Sequence, residues 1–370
     1  KERLGSGGMG VVLKGFDTEL NRPVAVKVLA RHLAHSGAAR QRFAREAKAA
    51  AAVVHEHVVA IHNVETEADD PFLVMQYVHG ESLQARVDRE GPLDAKQILR
   101  IGIQAAAGLA AAHAQGVMHR DVKPANILLE HGVERVLITD FGLARTVDDA
   151  SLTHTGIIAG TPSYMSPEQA GGEASDHRTD LFSLGAVLYF MATGHPPFRA
   201  ERAMGVLHRI CNERHRPVWE VNADIPDDVC EVIDCLLQKK PSRRVASASA
   251  LRDQLTKTLE NLQYPRRWGT RRLRRMVMRN AKVIGGMVLS ALLVAVVMLW
   301  PSERLPNSVE GTAPPLSASG EQNVAELPGK DSASNPGKGT EARIVVSPKL
   351  SATALDQSFT ELQQRVQAVP

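Results

Sequence analysis

The stretch HRDVKPANILLEHGVERVLITDFG, His119 to Gly142, gathers two carboxylates and an amide into one short loop and hairpin, with basic side chains close in sequence. Asp121, Asn126 and Asp140 are the groups that could do chemistry. Moving a phosphoryl group needs one residue to orient an attacking hydroxyl, and hard oxygen ligands to hold a divalent ion against phosphates. Asp121 suits the first task, and Asn126 with Asp140 the second. Ile127-Leu128-Leu129 and Val136-Leu137-Ile138 read as two short strands. Pairing them as a hairpin brings Asn126 and Asp140 together across fourteen positions.

Such a group needs a phosphate donor held beside it, and upstream elements fit that need. Gly5-Ser6-Gly7-Gly8-Met9-Gly10-Val11-Val12 has the spacing G-x-G-x-x-G-x-V. Glycines there let backbone N–H groups approach phosphate oxygens closely. A dinucleotide-binding loop shares that spacing but runs from a strand into a helix. Here Val11 to Phe16 continues as a strand, a turn spans Thr18 to Pro23, and Val24 to Leu29 forms the next strand. Its alternation sets Lys27 on the face opposite Val26 and Val28. Alone, Lys27 would read as an ordinary solvated strand lysine.

Further along, Ala38 to Val54 is an alanine-rich helix carrying Phe43 and Glu46. His55-Glu56-His57 has its histidines two apart rather than four, so it reads as a helix exit and not a zinc motif. Val58 to Asn63 and Phe72 to Met75 read as strands, and Leu93 to Gln115 as a long helix stopped by Gly116. From Leu143 to Glu168 runs a long segment rich in threonine, serine and glycine, of the kind that is usually functional or mobile. Asp180 to Thr193 is an apolar helix too short to span a bilayer, hence a core helix.

In order and spacing, the glycine loop, Val24-Ala25-Val26-Lys27, the His119-Arg120-Asp121 loop with Lys123 and Asn126, Asp140-Phe141-Gly142 and Ser166-Pro167-Glu168 resemble the signature set of eukaryotic-type (Hanks) protein kinases, bacterial type. Ser166 replaces the alanine usual before Pro-Glu. The resemblance implies an α+β, bilobal protein-kinase fold, with a small β-rich N-lobe containing one helix and a larger helical C-lobe. It implies an ATP site made by Gly5, Ser6, Gly7, Gly8, Met9, Gly10, Val12, Ala25, Lys27, Met75, Gln76 and Val78. In that site Glu46 pairs with Lys27, while Asn126 and Asp140 hold Mg2+, with Mn2+ as a substitute. Asp121 and Lys123 are the catalytic pair, and Lys123 marks the serine/threonine branch.

The same resemblance gives structural roles to Arg120, Phe141, Gly142 and Thr161, has Asp180 brace the catalytic loop, and pairs Glu168 with Arg244. Thr153 and Thr155 read as regulatory phosphosites able to pair with Arg120, or else as plain polar loop residues. Glu81 reads as a ribose contact, a contact to a basic substrate residue, or an exposed helix-start acid. The activity implied is transfer of the ATP γ-phosphoryl group to protein serine or threonine, with a second copy as partner for trans-autophosphorylation. The alternative is a membrane-anchored pseudokinase or scaffold, and no member of the catalytic set is missing.

The net charge of +3 conceals an asymmetry. Eight basic residues and no acidic one lie between Arg266 and Lys282, directly before Val283 to Trp300, eighteen residues without a charge. At 1.5 Å per residue that run spans roughly 27 Å, close to a hydrocarbon core. A basic block beside it argues for a membrane flank rather than nucleic acid, and places the kinase on the cytoplasmic side of the cell membrane. The domain expectation is therefore a kinase domain at 1–262, a basic juxtamembrane segment at 263–282, one transmembrane helix at 283–300, and an extracytoplasmic Pro/Ser/Gly-rich tail at 301–370 that is mostly disordered, with Ser358 to Glu361 at capping-box spacing. Because Lys1 stands four residues before the glycine loop, sequence including part of a first strand is expected upstream. Cys211, Cys230 and Cys235 imply no disulfide framework and read as buried thiols in a reducing compartment.

Overall fold

Alternation in the first ninety residues builds a five-stranded antiparallel sheet. The structure, a computed structural model, describes residues 2–7, 10–132, 135–141 and 162–264. Strands β1 (Arg3–Gly7), β2 (Gly10–Asp17), β3 (Arg22–Leu29), β4 (Ile61–Glu65) and β5 (Phe72–Gln76) lie in the order β1-β2-β3-β5-β4. Asp17 closes the β2–β3 turn by accepting from the Leu20 N–H at 3.0 Å, and Asn21 takes φ 50° there, a conformation asparagine tolerates. On β3, Ala25, Lys27 and Leu29 face inward. Ala25 and Leu29 share a cluster with Phe43 and Ala47 of helix α2 (Gly37–Ala51), which follows the short helix α1 (Arg31–Ala34). Ser36 caps α2 by accepting from the Ala39 N–H, and the helix stops three residues short of the expected Val54.

Strand β4 also starts later than Val58. The reason is a competing partner. Val58 bridges Ile138 in parallel, the Val59 N–H donates to the Ile138 carbonyl at 2.9 Å, and the Ile138 N–H donates to the His57 carbonyl at 2.9 Å. Residues 57–59 are thus drawn out of the N-lobe sheet and stitched to the catalytic hairpin. His57 Nδ1 lies 3.0 Å from the Val136 carbonyl, so the His55–His57 turn serves this junction as expected of a helix exit.

The C-lobe is helical around one core. Its elements are β6 (Gly80–Ser82), α3 (Leu83–Glu90), α4 (Ala95–Ala114), β7 (Ile127–Glu130), β8 (Arg135–Ile138), α5 (Pro167–Ala170), α6 (Arg178–Thr193), α7 (Ala203–Asn212), α8 (Val218–Val221), α9 (Asp227–Leu236) and α10 (Ala248–Gln263). Asp94 opens α4 with a full capping box to Gln97, and Gly116 beyond it has φ 73°. Helix α6 is buried on every side, as an apolar helix without a polar stripe must be. Leu181, Leu184 and Leu188 of α6 share a core with Ile98 and Leu109 of α4 and Leu251 and Leu255 of α10. At Gly108 of α4 a Cβ would stand 2.8 Å from the His57 carbonyl oxygen, so the close approach of α4 to the junction requires glycine.

The α+β bilobal arrangement is as the sequence implies, except that the small lobe carries two helices, the short α1 as well as α2, where one was expected. Helix α10 carries the described domain to Gln263. Of the three thiols only Cys230 is buried, with Cys211 and Cys235 partly exposed. Among the described residues no helix is long and apolar enough to cross a membrane. The basic segment, the apolar run Val283 to Trp300 and the tail lie outside the described residues, as do Gly8, Met9, Gly142, Thr153, Thr155 and Thr161.

Candidate active site

The hairpin forms with the expected register: Ile127 faces Ile138, Leu128 faces Leu137 and Leu129 faces Val136. Pro124 to Asn126 makes one 3-10 turn before it, which turns the Asn126 side chain back on the loop. The Asn126 amide nitrogen donates to the Asp121 carbonyl at 2.9 Å and to Asp121 Oδ2 at 3.1 Å. Lys123 Nζ donates to the same Oδ2 at 2.6 Å. With its nitrogen committed to Asp121, the amide presents its carbonyl oxygen on the other side, as a hard ligand. Across the hairpin end, the Thr139 N–H donates to the Asn126 carbonyl at 3.0 Å, which fixes Asp140 one residue on.

His119 sits behind this loop, fully buried and with its ring 4.5 Å from that of Phe141. Its Nδ1 accepts from the Asp121 N–H at 3.2 Å, so Nε2 carries the proton and donates to the Thr139 carbonyl at 2.9 Å. One imidazole thereby ties Asp121 to the residue before Asp140.

Asp180 fixes the other side. Its Oδ2 accepts from the His119 N–H at 2.8 Å and from His113 Nε2 at 2.7 Å, and its Oδ1 accepts from the Arg120 N–H at 2.7 Å. Burial pushes the Asp180 carboxyl up, but the hydrogen bond from His113 and the other bonds prevail and hold it below its ordinary value. This is the brace expected of Asp180. Arg120 and Asp140 both adopt left-handed backbone, at φ 64° and 65°. Such conformations cost about 1–3 kcal/mol each and persist only where surroundings impose them.

Gln169 imposes the first. In α5, Ser166 and Gln169 form a capping box, with Gln169 Oε1 accepting from the Ser166 N–H at 3.0 Å. The same amide donates through Nε2 to the Arg120 carbonyl at 2.9 Å. Arg120 is therefore held by Asp180 at its N–H and by Gln169 at its carbonyl. Sequence reading missed Gln169; the spacing of Ser166 and Gln169 was the available signal for the cap. Replacing Gln169 with Leu leaves the Arg120 carbonyl without this donor and is expected to cost about 1–3 kcal/mol in urea unfolding, with a parallel fall in phosphoryl transfer.

The described residues expected to hold ATP lie on β1, β2 and β3 and around the end of β5, and of these only Met75 lines the cleft beside Asp140. A cleft of about 310 Å³, open to solvent, is lined by Ala50, Val59, Leu73, Met75, Thr139 and Asp140 among others. Ala25 pairs with Met75 in the sheet, and Val12 with Lys27. Gln76 ends β5 with its N–H on the Ala60 carbonyl, and Val78 packs against the N-lobe core. At Gly10, φ is 148° and a Cβ would stand 1.8 Å from the Val28 carbonyl oxygen, so the last loop glycine is there to let two strands touch. Gly5, Ser6 and Gly7 lie on β1, pairing with Val12, Val11 and Gly10.

Lys27 is buried and its Nζ lies 2.7 Å from Asp140 Oδ1. Burial would raise the Asp140 carboxyl, and the Lys27 ammonium beside it reverses this, holding the group ionised below its ordinary value. The ion pair expected between Lys27 and Glu46 gives way to this one. Glu46 stands partly buried on α2. Lys27 meets Asp140 because both reach the cleft from its two walls with opposite charge. Glu81, for its part, is engaged by arginines of α3: Arg89 Nη1 and Nη2 reach its two oxygens at 2.6 and 2.8 Å. It lies on β6, paired with Leu129 and 15% exposed, rather than in the first turn of α3.

The last expected pair is present. Arg244 Nη1 and Nη2 grip Glu168 Oε1 and Oε2 at 2.6 and 2.7 Å, both side chains being buried. Thr179 Oγ1 adds a 2.9 Å bond to Glu168 Oε1.

Comparison with known proteins agrees with this geometry. The protein kinase domain family matches residues 1–256. A probable serine/threonine-protein kinase of Clostridium perfringens is 39% identical over 255 residues, covering 69% of this chain and 37% of that protein. The serine/threonine-protein kinase PknB of Mycobacterium tuberculosis is 39% identical over 262 residues, covering 69% of this chain and 42% of PknB. This chain therefore spans about two fifths of the length of these relatives. Among solved structures, the Mycobacterium tuberculosis PknI kinase domain superposes with a TM-score of 0.56 at 27% identity, covering 69% of this chain and 93% of that domain. The chain belongs to the protein kinase family, in its bacterial Hanks-type serine/threonine branch.

Proposed function

We propose that this chain is an ATP-dependent serine/threonine protein kinase that transfers the γ-phosphoryl group to hydroxyls of protein substrates. The observation that carries the reading is the Asp121 carboxylate, held by Lys123 at 2.6 Å and by Asn126, beside an ionised Asp140 paired with Lys27. Two oxygen ligands beside a phosphate site suit magnesium, which usually takes one or two protein ligands and completes its shell with phosphates and water. Among the described residues no cluster of three or more His, Cys, Asp or Glu offers an all-protein cage. When bound, the ion would neutralise charge on the phosphates.

The chain's own groups do the rest. Asp121 accepts a hydrogen bond from the serine or threonine hydroxyl and takes its proton as the oxygen bonds to phosphorus and the bond to the β-phosphate oxygen breaks. Lys123, already on Asp121, is placed to offset charge on the transferring group. Lys27 and Asp140 neutralise each other across the cleft. Entering phosphates would take Asp140's place on Lys27, and a cation would take Lys27's place on Asp140. Each exchange trades like charge for like.

Regulation and address belong to the same reading. No side chain among the described residues pairs with the Arg120 guanidinium, and its Nε is buried without a partner, which supports phosphate on Thr153 or Thr155 as its ligand. Trans-autophosphorylation between two copies would place it there. The eight cations before the uncharged run at Val283 to Trp300 support a single-pass anchor in the cell membrane with the catalytic domain in the cytoplasm.

The deciding experiment is incubation of the full chain, in detergent, with radiolabelled ATP and Mg2+ beside Lys27→Met. The unmutated chain is expected to label itself and the variant not to, with label at Thr153 or Thr155 by mass spectrometry. Silence of the unmutated chain toward itself and toward neutral peptide substrates would leave the scaffold reading standing.

A further inference from the structure

A second cavity shares no lining residue with the interlobe cleft. It encloses about 700 Å³ of space open to solvent, between the end of α6, the loop after it and the segment following α7. Its frame is fixed. Thr193 Oγ1 lies 2.9 Å from both the Tyr189 and His195 carbonyls, and Asn222 Nδ2 donates to the Ala192 carbonyl at 2.9 Å. Phe198 in its floor has Lys239 Nζ 3.9 Å from its ring centroid.

Four guanidinium groups line this cavity: Arg199, Arg209, Arg214 and Arg216. Two carboxylates answer them. Glu213 lies 3.5 Å from Arg209, and Glu220 lies 3.4 Å from Arg216. Arg199 and Arg214 have no side-chain partner among the described residues, so four cations against two anions leave an excess of two positive charges. The remaining wall is mostly apolar, with Tyr189, Pro196, Pro197 and Val221 beside Thr193 and His195. A carboxylate would satisfy one unpaired guanidinium. A dianionic phosphoryl group offers three oxygens to two planar forks and matches the charge excess.

We infer that this cavity is a docking site for a phosphoserine or phosphothreonine side chain on a peptide, with flanking apolar residues against the Tyr189–Pro197 wall. The charge argument stands on the cavity alone; the choice of a phosphorylated protein as bearer rests on the proposed kinase activity. A kinase with such a site engages substrates that already carry one phosphate.

The test uses the full chain, without ATP, and three fluorescent peptides identical except for phosphothreonine, threonine or glutamate at one position. Anisotropy should show saturable binding of the phosphopeptide alone, displaced by millimolar inorganic phosphate. The double variant Arg199→Gln, Arg214→Gln should bind it at least about tenfold more weakly, given the usual strength of charge-assisted hydrogen bonds. Transfer of label from ATP to a neutral peptide should be unchanged by that variant. If the double variant melts earlier, Arg214→Gln alone decides, since Arg214 has no described partner to lose. Equal binding of the phosphopeptide to the unmutated and variant chains, or of all three peptides to the unmutated chain, overturns the inference. Binding without any transfer would sink the catalytic reading and leave the pocket; transfer without binding does the reverse.

Discussion

Asp121→Asn is expected to lower phosphoryl transfer about 10²–10⁴-fold, the usual contribution of a positioned general base. Asparagine keeps the shape but presents no site to take the hydroxyl proton. Stability should hardly move. The Asp121 and Lys123 side chains are about a third exposed, and ion pairs so placed contribute roughly 0–1 kcal/mol. Turnover with radiolabelled ATP, measured beside a thermal melt, separates the two effects. Activity within tenfold of the unmutated chain would remove Asp121 from the mechanism.

The second large effect is on folding. Arg244→Met leaves Glu168 buried and charged, with one hydrogen bond from Thr179, and should cost about 3–5 kcal/mol. Removing both charges, as Glu168→Gln with Arg244→Met, should cost less, because the buried charge goes as well. Arg244 also donates to the carbonyls of Gln238, Arg178 and Lys239, at 2.8, 3.0 and 2.9 Å, and these are lost in both variants.

The pH dependence has a defined sign. Burial pushes the Glu168 carboxyl up, and Arg244 outweighs it, holding the folded value below the ordinary 4.5. The pair's contribution is therefore complete above about pH 4.5 and is lost as pH falls through the lowered folded value. In Arg244→Met, burial is opposed only by the Thr179 hydroxyl and a backbone hydrogen bond, and the folded value rises. The variant's deficit is then greatest near neutrality and shrinks toward acid. Urea unfolding at pH 7 and pH 4 compares them.

The catalytic set was legible because its residues are close in sequence and their spacing is fixed by a loop and a hairpin. Asp121, Lys123 and Asn126 fall within six positions, and the hairpin register alone places Asp140. Asp180 and the Glu168–Arg244 pair came from order along the chain and resemblance, since no local pattern foretells a contact across 76 positions. Gln169 was not legible. Its spacing from Ser166 announces a cap, but its other hydrogen bond, to the Arg120 carbonyl, depends on packing 49 positions away. Nor was the partner of Lys27. A lysine between two carboxylates joins whichever the lobes bring nearer, and lobe placement is a tertiary property. Strand β4 was read as starting three residues too early because Val58 and Val59 are good strand formers. They do pair, with Ile138 rather than within their own sheet.

That misread stretch sets the mechanics of the small lobe. Residues 57–59 fasten the exit of α2 to β8 through three contacts, two backbone hydrogen bonds of 2.9 Å with Ile138 and the approach of His57 Nδ1 to the Val136 carbonyl at 3.0 Å. The exit of α2 is thus fixed to the hairpin, while its far end is held within the small lobe, where Arg40 Nη2 donates to the Thr66 and Ala68 carbonyls at 2.8 and 2.7 Å, so a tilt of α2 turns about its exit. Fifteen residues make a lever of about 22 Å, so a tilt of roughly ten degrees carries the Gly37 end about 4 Å. Glu46, five residues from the pivot end, travels only a little over about 1 Å. A small turn at a fixed exit therefore moves Glu46 by about one bond length relative to the β8 wall next to Asp140, without breaking the hydrogen bonds of the junction.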